Sequence, residues 1–182
     1  QALFRRYGQP KVIRVDHGAP FAGVGALELS RLSTWWLGLS IRVEFTRRAC
    51  PQDNGAHEQM HRIYKADTAT PPAATPQAQQ HRSHRWVHYY NHQRPHEALG
   101  QRMPAMLYRK SRRAYRGPLP PLRYPRHWPT RRVSSRGFIS WAGRMRGIGR
   151  AFDGHKVGLK PLKEGVHEVY LGQLLIGVLM DA

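Results

Sequence analysis

The stretch at residues 50–65, CPQDNGAHEQMHRIYK, reads as the entrance to a helix, yet it carries a carboxylate, two histidines, an arginine and a lysine. At about 100° per residue, Glu58, Arg62 and Lys65 fall in one narrow sector, with Met60, Ile63 and Tyr64 opposite, so one face packs and the other is polar. Asn54 and Gly55, following Pro51, are turn formers that suit the approach to a helix start. They place Glu58 near the positive end of the helix dipole, where a carboxylate is favoured. Taken alone, the pattern is a solvated face with Glu58 and Arg62 as an i,i+4 pair. Its chemistry depends on what else the chain supplies, and a second carboxylate, Asp16, closes an apolar run far upstream.

The elements that must position these groups alternate in type. Val12 to Val15, followed by Asp16 and a Gly/Pro loop, is a short buried strand that ends in a carboxylate. Leu27 to Leu39 repeats apolar residues at helical spacing, and Ile41 to Phe45 alternates as a second strand. The helix carrying Glu58 should run from about residue 53 to residue 69, stopped by Pro71 and Pro72. A further helix spans 77–90 with Trp86, Val87 and Tyr90 as packing residues; Trp35 and Trp36, like Trp86 and Tyr90, read as core rather than base-stacking platforms. The chain breaks at Asn91 and restarts a short helix near Pro104.

Residues 110–129 are rich in Arg, Pro and aromatics with no periodicity, which reads as a linker. Turn signals then recur at Ala142-Gly143, Asp153-Gly154, Glu164-Gly165 and Gly172-Gln173. That spacing predicts a small all-β domain, with Ile139, Trp141, Val157, Val169 and Leu171 facing inward and enough strands for a five-stranded barrel.

The 182 residues hold 30 Lys and Arg against 11 Asp and Glu, a net charge of +19. The excess is uneven: residues 1–108 carry +7, 109–150 carry +13 with no acidic residue, and 151–182 carry −1. An Arg-rich block of this kind invites a polyanion, because neutralising phosphates releases condensed counterions. Arg109, Lys110, Arg112, Arg113 and Arg116 are the candidate phosphate contacts. No run of about 18 apolar residues occurs, which argues against a membrane partner. The single Cys50 excludes an intrachain disulfide framework and fits a reducing cytosol. The 11 histidines are scattered, so His57 and His61 read as surface residues rather than a zinc pair. The first residue is Gln, and the chain reads as a piece of something longer.

A carboxylate ending a strand, a helix and a strand after it, and then a carboxylate in the first turns of a helix form an order that resembles the catalytic core of DDE-type transposases and retroviral-type integrases. VDHGAPFAG looks like that family's second-Asp loop, with His17 where the family usually has Asn. CPQDNGAHEQMHR looks like its Pro-rich, Asn-Gly loop leading to the catalytic Glu, and YYNHQRPHEALGQRMPAMLY is similar to the stretch that follows the core in bacterial insertion-sequence transposases. The resemblance implies that Asp16 and Glu58 are catalytic metal ligands, that Arg62 and Lys65 grip DNA beside the scissile bond, and that Asn54 and Gly55 shape the loop. It also implies Mg²⁺ or Mn²⁺, two ions about 4 Å apart in the complete enzyme.

The fold expected is therefore α/β: a ribonuclease-H-like integrase core over 1–108, truncated at its N-terminus, then a basic linker over 109–129 and an SH3-like all-β barrel over 130–182. The expected function is DNA transposition by metal-dependent strand cleavage and strand transfer. Its partners would be element ends and target duplex, with a homo-oligomer on DNA and a bacterial cytoplasmic, nucleoid-associated location. Only 15 residues precede Asp16 and none is Asp or Glu. The family's first Asp is thus missing, and this chain alone is expected to be inactive. A DNA-binding remnant without catalytic role is the alternative.

Overall fold

The computed structural model of the chain describes residues 1–23, 25–47, 50–119 and 121–181. Its contacts form two compact units, one made of Gln1–Arg48 with Arg113–Ala182, the other of Ala49–Arg112.

The first unit opens with α1 (Ala2–Tyr7) and β1 (Val12–Val15), then α2 (Arg31–Gly38) and β2 (Arg42–Phe45). β1 and β2 pair in parallel, with Val12 opposite Arg42 and Val15 opposite Phe45. α2 begins later than its apolar period suggests, because Ser30 caps it: Ser33 N donates to Ser30 Oγ at 3.1 Å and Ser30 N donates to Ser33 Oγ at 2.7 Å. Such a reciprocal cap satisfies orphan amides and is worth about 1 kcal/mol. The preceding residues 26–28 form a separate 3₁₀ turn. Val15, Trp36, Leu39 and Ile41 are the buried centre of this part, with Trp35, Phe4 and Phe21 packed around them.

The strand-rich part of the same unit contains β3 (Thr130–Arg132), β4 (Phe138–Trp141), β5 (Arg144–Gly147), β6 (Lys156–Lys163), β7 (Val166–Leu171) and β8 (Leu174–Met180). β3-β6-β7-β8 make an antiparallel sheet and β4-β5 a separate hairpin. Three of the anticipated turns fall where paired strands reverse, and Asp153-Gly154 instead follows a 3₁₀ turn ahead of β6. Ala142 and Gly143 both take positive φ, 48° and 71°, in the two-residue β4–β5 turn, the backbone twist that tight hairpins need. Ile139, Val157, Val169 and Leu171 are buried as their alternation predicts, with Trp141 half-buried beside them. This core is not self-contained, since Leu29 joins it and Leu37 and Phe45 pack against it.

The described residues of 113–129 have no regular element, yet they are not a free linker. Tyr115 and Leu119 pack on the first core cluster, and Leu122 packs on the second. Tyr124 donates its hydroxyl to Lys156 O at 2.7 Å and receives Gly172 N at 3.0 Å, while its ring covers Gly158. Burial raises the Tyr124 phenol above its ordinary range. An aperiodic segment gives no sequence signal for such a strap, because each anchor is a single side chain meeting a remote backbone group.

The second unit is helical: α3 (Gly55–Ala69), α4 (Pro76–His92) and α5 (Pro104–Leu107), with 3₁₀ turns at Pro51–Asn54 and Glu97–Leu99. Trp86 is its buried apolar anchor, edge-on to Tyr64 at 5.0 Å and stacked on Tyr90 at 4.7 Å, with its indole N–H donated to Asp67 at 2.8 Å. Ser83 donates to Gln79 O, so the Tyr64 hydroxyl donates to Ser83 Oγ at 2.6 Å. The end of α3 is closed by α4, whose Gln79 and Arg82 side chains donate to Thr68 O; carbonyls at a helix C-terminus otherwise lack partners. Val87, expected to pack, is 47% exposed. It sits one residue beyond Trp86, so it points away from α3 on a helix that buries a single stripe.

Candidate active site and basic surface

Asp16 follows the last residue of β1 and is exposed. Its loop is fixed by short-range bonds: Gly18 N donates to Asp16 Oδ1 at 2.9 Å, and Phe21 N donates to Gly18 O at 2.9 Å. Thr46 N donates to Val15 O at 2.9 Å, which carries the β1–β2 pairing up to the carboxylate. Asp16 thus stands at the carboxyl end of two parallel strands, the edge where open α/β sheets place their ligand sites. His17 braces this edge: its Nδ1 lies 3.0 Å from Glu28 Oε2, its Nε2 lies 2.8 Å from Thr46 O, and its ring stacks on Phe45. The departure from Asn at this position is therefore accommodated by contacts that a smaller amide would not span.

Glu58 lies in the first turn of α3 and is exposed, with no hydrogen-bond or ion-pair partner among the described residues. Arg62 and Lys65 are exposed too, while Met60, Ile63 and Tyr64 are partly covered. The expected split between a packing face and a polar face is present. Asp16 and Glu58 belong to different compact units.

Asn54 ends the 3₁₀ turn and Gly55 opens α3, so both lie at the join between the loop and the helix. Asn54 makes no side-chain cap. Gly55 has φ −53° and ψ −42°, ordinary helical values, and a β-carbon there would meet nothing within 4 Å. A glycine at such a site is not required by backbone geometry.

The basic residues divide by unit and by job. Arg109, Lys110 and Arg112 are exposed in the helical unit, and Arg109 turns one nitrogen back to Met106 O and Tyr108 O at 3.0 and 3.1 Å. Arg116 is exposed in the other unit. Arg113 differs from its expected role as a phosphate contact: it donates to Pro10 O at 2.7 Å, Leu39 O at 3.1 Å and Ser40 O at 2.9 Å. A guanidinium offers five N–H donors in a fixed fork, and here the fork ties residues 10, 39 and 40 together. Arg131 is likewise used internally, donating to Ser140 O and lying 5.1 Å over the Trp141 ring.

No group of three or more His, Cys, Asp or Glu side chains comes together among the described residues. No helix of the described residues is long and apolar enough to cross a membrane.

Residues 39–104 match the integrase core domain family, and residues 129–181 match the C-terminal domain of the IS481 family of transposases. Together the two matches support a transposase of insertion sequences. Glu58, Arg62, Lys65, Asn54 and Gly55 of this transposase lie inside the integrase-core match, whereas Asp16 precedes it. The integrase core implies a ribonuclease-H-like α/β fold and a family of polynucleotidyl transferases that generally depend on divalent metal. The C-terminal match begins at Pro129, directly before β3, and ends at Asp181 just after β8, so it spans the strand-rich part of the transposase.

The bracing role of His17 is not legible in the sequence, because its contacts reach residues 28 and 46 and leave no local signal. His57 and His61 are both exposed, in keeping with their reading as surface residues.

Proposed function

We propose that Asp16 and Glu58 are two of the carboxylates of a metal-dependent DNA strand-cleavage and strand-transfer site. The observation that carries the reading is positional: one carboxylate at the carboxyl end of a parallel strand pair and the other in the first turn of the helix within the integrase-core match. The donor set fits a hard divalent ion such as Mg²⁺ or Mn²⁺, because both carboxylates are exposed, Glu58 is unpartnered among the described residues, and such ions take carboxylate oxygens. Two bound ions would supply activation of the attacking oxygen and stabilisation of the leaving oxygen. Asp16 and Glu58 would hold the ions, and the Gly18 amide engages only Oδ1 of Asp16, leaving Oδ2 without a hydrogen bond among the described residues. Arg62 and Lys65, on the exposed face of α3, would position phosphates beside the reacting bond without holding metal. Arg109, Lys110, Arg112 and Arg116 would grip the flanking duplex, at element ends and target alike, and the active form would be a homo-oligomer assembled on DNA in the bacterial cytoplasm.

The same reading takes residues 1–108 as integrase core and residues 130–182 as a small SH3-like barrel. The support is a set of short antiparallel strands sharing one apolar core. The 15 residues before Asp16 hold no Asp or Glu, so the chain as it stands would bind DNA without nicking or joining it. That behaviour is also what the alternative, a catalytically inactive DNA-binding remnant, would show.

The test is joining of a labelled pre-cut element end to plasmid in Mg²⁺ or Mn²⁺. The 182-residue chain should bind and not join. A version extended upstream by a strand bearing a third carboxylate should join, and Glu58→Gln in that version should abolish joining, whereas Arg62→Ala should leave residual activity. Joining by the 182-residue chain would refute the carboxylate assignment. Failure of the extended version to join would favour the remnant.

A further inference from the structure

The function proposed above leaves the two histidines flanking Glu58 unused. His57 and His61 stand at i and i+4 of α3 and both are exposed. Their rings face each other with centroids 4.4 Å apart and planes inclined by 35°, and Nε2 lies 2.6 Å from Nε2. Protein hydrogen bonds donated by N–H usually span about 2.7–3.2 Å, so this contact is closer than a comfortable one. Two neutral imidazoles meeting in this way have one N–H and one lone pair converging on a single point. A divalent ion at that point, about 2.0–2.1 Å from each nitrogen, would take the place of the shared proton. The nitrogens would have to part by less than an ångström, and exposed rings are free to make that adjustment by side-chain rotation.

Residues 57–61 spell His-Glu-Gln-Met-His on one continuous helix, the H-E-x-x-H spacing that sets two imidazoles on one helical face toward a zinc ion. We propose that His57 and His61 form a two-histidine chelating site for a borderline divalent transition-metal ion such as Zn²⁺, Ni²⁺ or Cu²⁺. Imidazole nitrogen suits these ions, and carboxylate and water oxygen suit Mg²⁺, so the site is chemically separate from the one assigned to Asp16 and Glu58. No third protein ligand stands with the pair among the described residues, so water fills the remaining positions. A metallopeptidase centre keeps three protein ligands, and no hydrolytic role is assigned here.

The chain contains its own comparison. His88 and His92 on α4 have the same spacing, but their rings stack at 4.7 Å with planes only 27° apart, and no hydrogen bond joins their nitrogens among the described residues. Stacked rings direct their lone pairs side by side rather than at one point.

The experiment is competition for Zn²⁺ between the full chain and a chromophoric chelator, in excess Mg²⁺ and without DNA. It compares the unaltered chain with His57→Ala, His61→Ala, Glu58→Gln and the double variant His88→Ala/His92→Ala. We expect one tight equivalent in the unaltered chain, weakened about 10²–10⁴-fold by either His57→Ala or His61→Ala, the usual gain when a second binding group is tethered to the first. Ala is the best helix former, so circular dichroism of both variants should stay helical. Glu58→Gln and the His88/His92 double variant should keep the equivalent. An unchanged titration in His57→Ala or His61→Ala, or loss of the equivalent in either control, would overturn the proposal. Because no DNA or joining activity enters the measurement, its outcome is independent of the catalytic assignment of Glu58.

Discussion

Replacing Gly158 by Ala tests whether residues 113–129 are a structural strap. A β-carbon at Gly158 would lie 2.3 Å from Tyr124 Cδ1 and 2.7 Å from Cε1, where carbon atoms are comfortable at about 3.5–4.0 Å. The ring must therefore retreat by more than an ångström. It is not free to do so alone, because its hydroxyl is held by Lys156 O and Gly172 N. Overpacking of this kind costs about 1–3 kcal/mol, and leaving a buried donor or acceptor unpaired costs about 1–3 kcal/mol more. About 0.5–1 kcal/mol is recovered because Gly inside a strand is itself unfavourable relative to Ala. We expect Gly158→Ala to destabilise the strand-rich part of the first unit by about 1–5 kcal/mol on these terms. Urea unfolding of the full chain, followed by far-UV circular dichroism and tryptophan fluorescence, measures it. On a Tyr124→Ala background the space is already open, so the same substitution should cost under about 1 kcal/mol, and the non-additivity is the signature of contact. Equal costs on both backgrounds would refute the account of the strap.

Alkaline titration offers a second check on Tyr124. Burial raises its phenol above the ordinary value of 10.0, so above that pH the folded chain retains a proton the unfolded chain has released. Its contribution is whole below pH 10 and is lost as pH climbs through the folded value, so the stability advantage over Tyr124→Phe should shrink only on the alkaline side of pH 10. In DNA binding, four phosphate contacts from Arg109, Lys110, Arg112 and Arg116 predict a log-log salt slope of about −3.6, falling by about 0.9 in magnitude for Arg112→Ala. A flat salt dependence would contradict it. Arg113→Ala should leave that slope unchanged and instead lower stability by about 1.5–3 kcal/mol, the range for hydrogen bonds to a charged group. Gly55→Ala should raise the melting stability of the chain by about 0.4–1 kcal/mol, since the backbone there is already helical; destabilisation would show a constraint that the geometry does not contain.

The elements that hold the candidate carboxylates were legible because they obey simple periods. Three apolar residues among the four of Val12–Val15 mark β1, alternation marks β2, and a helical face with proline stops marks α3 and α4 to within a few residues. What escaped is what depends on distant partners. Arg113 has the composition of a phosphate contact, and only the positions of Pro10, Leu39 and Ser40 reveal it as a brace. Val87 and Trp86 are equally apolar in sequence, and the single stripe that α4 presents to α3 decides between them. Gly55 looks like a turn residue because glycine favours turns, yet a helix can begin on it without using that freedom.

The unit that carries Asp16 is discontinuous, closing residues near 10 and 40 against residue 113 and pairing Arg31 with Asp153 across 122 positions. During synthesis the N-terminal strands would emerge long before these partners, while α3 and α4, only a short loop apart, can meet at once. Pairing across such separations carries a loop-closure cost before any contact repays it. The helical unit should therefore gain protection from amide exchange first on the ribosome, and the loop bearing Asp16 should acquire its final support only when the last strands are released from the exit tunnel.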